Sequence, residues 1–316
     1  MFKLNTTYMI PIKIDSEDRI RNFKMIRSYL SAHFDAEFII YEADTESKLE
    51  SEIPKDSRFK YVFKELKENE PFHRTKYLNE MIDMSSLDNV ANYDTDVLVE
   101  PSVVQTIDEK LTHNQADFIY PYGFNEYDQI RYYINNPEYV LNKFEENPTF
   151  KTLMNDVNKD AWPDKPNQQD GIFGELTNQE RKASAAAFDS WMTAAGHCVF
   201  ARKQAYIDGF MENEKFISWG PEDQERRYRF LQLGMRVVHA SGNKIIHLEH
   251  NRDSGDTHYH NPQYDNNQEE WAKINGRSKD EILGYYLHHC DYYRNYKCFN
   301  DSYWVAQEEG SVKVQQ

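Results

Sequence analysis

The chain has 316 residues, 53 of them acidic and 37 basic, so its formal net charge is −16. This charge disfavours nucleic acid as a partner, because polyanions are bound by fields of Lys and Arg, but it does not exclude a local basic groove. With 39% hydrophobic and 28% charged residues, the composition is that of a folded globular protein rather than a disordered one. The length suits one large domain or two small ones.

The first 120 residues alternate between short apolar runs and stretches of helical periodicity. The runs predict strands at 7–14, 37–41, 60–63 and 90–93, and the periodic stretches predict helices at 17–34 and 73–84. A strand, a helix and a second strand in succession form the βαβ pattern of a parallel sheet covered by helices. The predicted fold class is therefore α/β, with a mostly parallel, Rossmann-like central sheet flanked by helices.

The pattern changes after residue 125 and returns near residue 196. Between them we predict an insertion with two helical stretches and a loop at 161–171. A later helix is expected to have Pro221 at its first position and to end near Leu233, before Gly234. Two strands at 237–239 and 244–248, and one helix in the tail at 279–293, complete the predicted elements.

Features that bear on location point to the cytoplasm. No apolar run approaches the ~18 residues of a membrane-spanning helix, and the first residues lack an apolar segment followed by a cleavage site, so we expect neither a membrane span nor a signal peptide. Cys198, Cys290 and Cys298 are odd in number and widely spaced. That spacing favours reduced thiols over a disulfide framework.

Two acidic pairs are the first candidates for chemistry. Asp94 and Asp96 follow a predicted strand, and residues i and i+2 of an extended chain face the same way, so both carboxylates can converge on one divalent cation. The alternative is an acidic turn. Glu222 and Asp223 follow Trp219, and carboxylates beside an aromatic ring can hold a sugar and take a hydroxyl proton. Equally, acidic residues suit the first turn of a helix.

Histidines supply the third candidate. His247 and His250 stand three residues apart at the end of a predicted strand, and imidazole is a common ligand for divalent transition ions. A single His is more often a surface residue or a satisfied core residue. His258 and His260 lie in a polar loop, and we assign them no role.

Together these segments resemble the inverting glycosyltransferases of the GT-A fold, especially the β-1,4-galactosyltransferase and polypeptide N-acetylgalactosaminyltransferase group with its bacterial polymerase relatives. Four blocks carry the likeness in family order: residues 11–19, Phe-His-Arg-Thr-Lys-Tyr-Leu-Asn at 72–79, Asp-Thr-Asp at 94–96, and the segment 195–253. The last block holds Gly-His-Cys-Val-Phe at 196–200, Asp-Gly-Phe at 208–210, Trp-Gly-Pro-Glu-Asp at 219–223, Gly-Met at 234–235 and His-Asn-Arg-Asp at 250–253. The likeness covers about residues 7–125 and 190–253.

The resemblance implies a transferase of the hexosyltransferase type that uses a nucleotide sugar, UDP-linked, with Mn²⁺ or Mg²⁺. By the family's Asp-x-Asp motif, Asp96 would bind the metal, with Asp94 beside it on the ribose or on a metal-bound water. His250 would be the third ligand, and His247 is its rival. The nucleotide pocket would be lined by Pro11, Lys13, Asp15, Arg19, Phe72 and Arg74.

On the acceptor side, the resemblance implies that Glu222 binds the acceptor, that Asp223 is the general base and that Trp219 lies on a movable loop. The chain departs from the family at two points. Ala195-Gly196 replaces a Gly-Gly pair, and Pro221 replaces a glycine. Because proline stiffens the loop before the carboxylates, the loop closure known in the family does not transfer directly to this chain.

The implied organisation is a GT-A domain at 1–255 followed by a C-terminal helical extension at 256–316. Within the domain, residues 1–125 form the nucleotide-sugar half, 126–190 a helical insertion and 191–255 the acceptor and catalytic half. The resemblance implies an acceptor that is a glycan or another hydroxyl-bearing molecule. The alternatives are the same chemistry on a modified nucleobase or a protein, a non-catalytic nucleotide-sugar-binding module, and a hydrolase. A binding module has no need of Asp223 beside an acceptor site.

Overall fold

The computed structural model describes residues 1–123, 129–132, 134, 136–154, 172–175, 196–241, 243–251 and 261–298. Within these residues the strands form a large central sheet and a small second sheet. The strands are β1 (Phe2–Ile12), β2 (Phe34–Asp44), β3 (Phe59–Glu65), β4 (Asn89–Tyr93), β5 (Val97–Val99), β6 (Phe118–Tyr120), β7 (Gln129–Tyr132), β8 (Ile172–Glu175), β9 (Cys198–Arg202), β10 (Val237–Ser241) and β11 (Ile245–Leu248).

The central sheet has the strand order β3-β2-β1-β4-β9-β6-β10-β8. All of its strands run in one direction except β9, which lies antiparallel between β4 and β6, and β8, which is antiparallel to β10 at the edge. The prediction of an α/β fold with a mostly parallel central sheet is confirmed. A second sheet has the order β5-β11-β7, with β11 antiparallel to β5 and parallel to β7.

Helices cover this sheet and extend the C-terminal part. They are α1 (Glu17–His33), α2 (Arg74–Met84), α3 (Pro101–Thr112), α4 (Pro137–Glu146), α5 (Phe150–Met154), α6 (Lys203–Asp208), α7 (Glu222–Gln232), α8 (Tyr264–Ala272) and α9 (Lys279–His289). The periodic residues Phe23, Ile26 and Leu30 of α1 are buried, as their spacing predicts. Among the described residues, no helix is both long and apolar enough to cross a bilayer.

The core is built on strands β1, β4 and β9, which lie side by side in the central sheet. Tyr8 of β1 is fully buried, and its ring lies 5.2 Å from that of Tyr93 and 5.9 Å from that of Phe200. On the covering layer, Tyr29 of α1 stacks on Phe144 of α4 at 6.2 Å, so the predicted insertion packs against the first helix. These contacts hold the carboxyl ends of β1 and β4 next to each other.

Several predicted elements need correction. β1 begins at Phe2 and not at residue 7, because its first residues also pair with β2. Pro221 precedes α7 as its N-cap residue and is not its first helical residue. The helix predicted at 279–293 ends at His289, and a 3₁₀ turn follows it. The loop at 161–171 and residues His258 and His260 lie outside the described residues.

The sequence did not predict several of these elements, among them α3, β6, β7, β8, β9, α6 and α8. β8 adds an edge strand to the central sheet from within the insertion that we predicted to be helical. α8 was missed in the tail because its buried face carries Asn267 and Glu270 beside Trp271, so the apolar periodicity that signals a helix is weak. All three cysteines are free, as predicted.

Candidate active site

A cavity of about 340 Å³ opens at the carboxyl ends of β1 and β4. In open α/β sheets this edge is where ligands bind, and the volume lies in the range of small-molecule sites. Every residue that the sequence predicted for the site lines this cavity: Pro11, Lys13, Asp15, Arg19, Phe72, Arg74, Asp94, Asp96, Trp219, Glu222, Asp223 and His250. The remaining lining residues are Ile12, Thr95, Gly196, His197, Ser218, Gly220 and His247.

One wall of the cavity holds Asp96 with two histidines. The small sheet brings them together, because β11 pairs with β5 so that His247 stands opposite Val97, and the Leu248 N–H donates to the Asp96 carbonyl at 2.7 Å. His250 Nε2 lies 3.2 Å from Asp96 Oδ2, and His247 Nε2 lies 3.7 Å from Asp96 Oδ1. One ligand atom from each of the three residues lies within 4.8 Å of the other two.

This donor set fits a divalent cation. It offers one carboxylate oxygen and two imidazole nitrogens, a mixture that suits first-row ions such as Mn²⁺. Asp96 Oδ1 is buried and accepts no hydrogen bond from any described residue. Burial raises the pKa of Asp96, but the hydrogen bond from His250 and the charges of His247 and Arg19 outweigh burial, so the pKa lies below its ordinary range. The carboxylate is therefore ready to bind a cation.

Asp96, His247 and His250 form a candidate metal-binding cluster, which differs from the predicted ligand set in two ways. His247 and His250 are both at Asp96, so they are partners and not rivals. Asp94 lies outside the cluster and forms an ion pair with Arg74 at 2.6 Å. Burial raises the pKa of Asp94, and the Arg74 charge offsets only part of that rise.

Two arginines face the space beside the metal-binding cluster. Arg19 of α1 places Nη1 3.0 Å from Asp96 Oδ2 and Nε 3.6 Å from Asp15. Arg74, the first residue of α2, donates from Nη2 to Asn92 Oδ1 at 2.7 Å in addition to its contact with Asp94. Guanidinium groups at this edge supply the positive charge that a phosphate-bearing ligand requires.

The opposite wall is the first turn of α7, with Glu222 and Asp223. Glu222 is buried, and burial together with the neighbouring Asp223 charge raises its pKa to about 8. Asp223 is partly exposed and forms an ion pair with Arg226 at 2.5 Å. A Cβ atom on Gly196 would come 3.1 Å from Asp223 Oδ2, so the glycine lets α7 approach β9 closely.

The loop that carries Trp219 is tied to the C-terminal helix α8. Asn267 accepts a hydrogen bond from the Ile217 N–H at 3.1 Å and donates to the carbonyls of Ile217 and Trp219 at 2.8 and 2.9 Å. A Cβ atom on Gly220 would lie 2.7 Å from Asn267 Nδ2, so a side chain at this position would displace Asn267. The Trp219 side chain itself is 38% exposed at the mouth of the cavity.

Three residues of this region were given no role from the sequence. His197 has a positive φ of 69°, which is uncommon for a residue with a side chain, and its carbonyl accepts from the Asp94 N–H at 2.9 Å. Arg226 and Asn267 contact Asp223 and the Trp219 loop, respectively. His197 and Asn267 act on partners that the fold brings near, so no local pattern marks them. Arg226 follows Asp223 by three residues on α7, and this spacing favours an ion pair on a helix.

The chain resembles solved structures that are distant from it in sequence. No family model and no curated protein matches the chain. It is similar to S. aureus TarS at 10% identity and a TM-score of 0.45, covering 77% of this chain and 36% of that chain. It is also similar to S. aureus TarS 1–349 in complex with UDP-GlcNAc, at 10% identity and a TM-score of 0.49, covering 80% of this chain and 61% of that chain. This chain thus spans less than two thirds of either.

Proposed function

We propose that this chain is a GT-A-fold, metal-dependent glycosyltransferase that moves a sugar from a nucleotide sugar to an acceptor hydroxyl with inversion. The observation that carries the proposal is that one cavity contains both a cation-binding cluster, Asp96 with His247 and His250, and a pair of carboxylates, Glu222 and Asp223. A nucleotide-sugar transfer needs both parts. A cation or cationic side chains must balance the leaving diphosphate, and a base must activate the acceptor.

The donor side is supported by the charges around the metal-binding cluster. Asp96, His247 and His250 would hold Mn²⁺ or Mg²⁺, which neutralises the charge that grows on a departing diphosphate. Arg19 and Arg74 flank this position and can donate to phosphate oxygens. A UDP-linked donor is proposed from the resemblance of residues 72–79 and 94–96 to the galactosyltransferase group.

The acceptor side is supported by the different surroundings of the two carboxylates. With a pKa of about 8, Glu222 is protonated at neutral pH and can donate a hydrogen bond to the acceptor. Asp223 is the more exposed of the two and is held as one partner of an ion pair. It is therefore the group proposed to take the hydroxyl proton.

The proposed reaction is a single displacement. Asp223 removes the proton of the acceptor hydroxyl while that oxygen forms a bond to the anomeric carbon of the donor sugar. The bond between the anomeric carbon and the diphosphate oxygen breaks on the opposite face, and the electron pair leaves with the diphosphate. Attack opposite the leaving group inverts the anomeric configuration. Trp219, at the mouth of the cavity, offers an aromatic face on which a sugar ring can stack.

The test is a thermal-shift titration with UDP, UDP-glucose, UDP-galactose and their N-acetyl analogues, with and without Mn²⁺. A ligand that binds only the folded chain adds about 2.7 kcal/mol to the free energy of unfolding at 100 times its Kd. We expect metal-dependent stabilisation by UDP and by at least one UDP-sugar. If no nucleotide stabilises the chain in either condition, the proposed function is wrong and only the fold is shared.

A further inference from the structure

A buried guanidinium lies directly behind the proposed base. Arg226 of α7 has a side chain that is 2% exposed, and its Nη2 lies 2.5 Å from Asp223 Oδ1. Its Nη1 lies 2.9 Å from Oε1 of Glu212, whose side chain is also buried. One cation therefore bridges a carboxylate of the cavity and a carboxylate that lies outside it.

Glu212 is itself held on two other elements. Its backbone N–H donates to Asn79 Oδ1 at 2.8 Å, and Asn79 Nδ2 donates back to the Glu212 carbonyl at 3.0 Å, which ties the segment to α2. The Tyr206 hydroxyl of α6 donates to Glu212 Oε1 at 2.7 Å. The ion pair of Arg226 is thus made with a carboxylate that contacts to α2 and α6 hold in place. These contacts restrict the movement of the Arg226 side chain.

The two oxygens of Asp223 consequently have different surroundings. Oδ1 accepts from Arg226, whereas Oδ2 is the oxygen that faces Gly196, and both Asp223 and Gly196 line the cavity. A carboxylate held by one oxygen keeps its plane and leaves the other oxygen for the substrate. A misplacement of about 1 Å in a reacting group can cost about a hundredfold in rate.

We infer that Arg226 is a positioning residue for the transfer reaction: it orients the Asp223 carboxylate so that Oδ2 receives the acceptor proton. This inference rests on the proposed function, in which Asp223 is the base. Arg226 does not line the cavity, whereas its partner Asp223 does. We expect its effect on the reaction to pass through Asp223.

Arg229 provides a matched control on the same helix. It is also fully buried, and it pairs with Glu225 at 2.6 Å and donates to the Met211 carbonyl at 2.8 Å. Neither Arg229 nor these partners line the cavity. Removing either arginine leaves a buried carboxylate without its cationic partner, Glu212 in the case of Arg226 and Glu225 in the case of Arg229. Both substitutions should therefore destabilise the fold to a similar extent. Only Arg226 is expected to affect turnover.

The experiment measures UDP release with Mn²⁺ and water as the acceptor, using the UDP-sugar that stabilises the chain most in the thermal-shift panel. For Arg226→Met we expect kcat to fall about tenfold to a hundredfold while the donor KM changes less than about twofold. Arg226→Lys keeps the charge and should recover part of the loss. Arg229→Met should lower Tm comparably and leave kcat within about twofold. Equal kcat values for Arg226→Met and Arg229→Met would overturn the inference.

A double variant separates this inference from the proposed function. Because Arg226 acts through Asp223, adding Arg226→Met to Asp223→Asn should slow the reaction no further, whereas additive losses would contradict a positioning role. If Asp223→Asn alone keeps full turnover, the base assignment is wrong, whatever Arg226 does. Should Arg226→Met fail to fold, Glu212→Gln weakens the same bridge at constant volume, and an unchanged kcat in that variant would also overturn the inference.

Discussion

The cavity holds two acidic pairs, Asp94 with Asp96 and Glu222 with Asp223. They look alike in sequence but differ in the positively charged groups that contact them. In each pair one carboxyl has a raised pKa: the partly exposed Asp94 in the first pair and the buried Glu222 in the second. The other member contacts positive or imidazole groups. Asp96 meets Arg19, His247 and His250 from separate parts of the chain, whereas Asp223 meets one buried guanidinium on its own helix.

The cation at Asp96 would be an exchangeable metal ion, whereas the cation at Asp223 is the fixed guanidinium of Arg226. The neighbours of Asp96 include two imidazoles that can bind a metal together with it, and Arg19 is partly exposed. Arg226 is buried and forms ion pairs with both Asp223 and Glu212, and as a side chain it does not exchange with solvent ions. Under the proposed function, similar dipeptide and tripeptide motifs thus give a site for a replaceable ion and a base that is held in one orientation.

The largest expected effect on turnover comes from changing Asp223, the proposed base. Asp223→Asn keeps the size of the side chain and removes the base, so kcat should fall about 10²–10⁴-fold. Stabilisation by UDP and Mn²⁺ should persist, because the metal-binding cluster is untouched. Turnover assays and thermal shifts on the same preparation make the measurement. Near-native turnover would show that Asp223 is not the base.

Glu222 should make stability depend on pH. Its pKa rises from 4.5 to about 8 on folding, so between these values the folded chain holds a proton that the unfolded chain has released. The free energy of unfolding therefore falls as the pH rises through this range, by up to about 1.4 kcal/mol per pH unit. In Glu222→Gln this dependence is absent. Urea unfolding of both chains at several pH values measures it, and parallel profiles would argue against the raised pKa.

The exchangeable site should lose its cation when one ligand is changed. Asp96→Asn, His247→Gln and His250→Gln are each expected to abolish Mn²⁺-dependent stabilisation, which amounts to about 2.7 kcal/mol at 100 times Kd in the parent chain. Asp94→Asn is the control that sharpens the comparison, because Asp94 pairs with Arg74 and lies outside the cluster. An equal loss in Asp94→Asn would place it among the ligands.

The smallest effect concerns the approach of β9 to Asp223. In Gly196→Ala the new Cβ would press on Asp223 Oδ2 at 3.1 Å, so we expect kcat to fall about fivefold to tenfold with little change in Tm. Gly284→Ala in α9 is the control, since nothing lies within 4 Å of the added Cβ and alanine favours helix. Identical kcat values in the two variants would show that Asp223 can shift to accept the new Cβ without loss of turnover.

Much of the site was predictable because its residues belong to short ordered motifs at strand and helix ends. Asp94 and Asp96 follow a buried strand, and Glu222 and Asp223 open a helix, so their positions made them candidates. The resemblance to the GT-A glycosyltransferases supplied the other site residues. All the residues named from the sequence meet in one cavity. Their individual roles stay predictions, as do the domain boundaries and the cytoplasmic location.

The partners of those residues were not predictable, for a physical reason. His247 joins His250 at Asp96 only because β11 pairs antiparallel with β5, and a register is a property of two strands and not of either one. Asn267 reaches the Trp219 loop from a helix whose buried face is polar. Such contacts leave no periodic trace in the sequence.

By itself, the amino-acid sequence determined the α/β class, the order of the main strands and helices, and the residue types of the site, because these follow from local hydrophobic period and short motifs. Tertiary structure alone decided which carboxyl is buried, which histidines share a carboxylate and which arginine holds the proposed base. Burial and charge pairing depend on how atoms are placed in space, whether the residues are three apart, as Asp223 and Arg226 are, or far apart along the chain, as Asp96 and His247 are. The pKa and the charge partners of each of these acidic residues are therefore decided only when the chain folds.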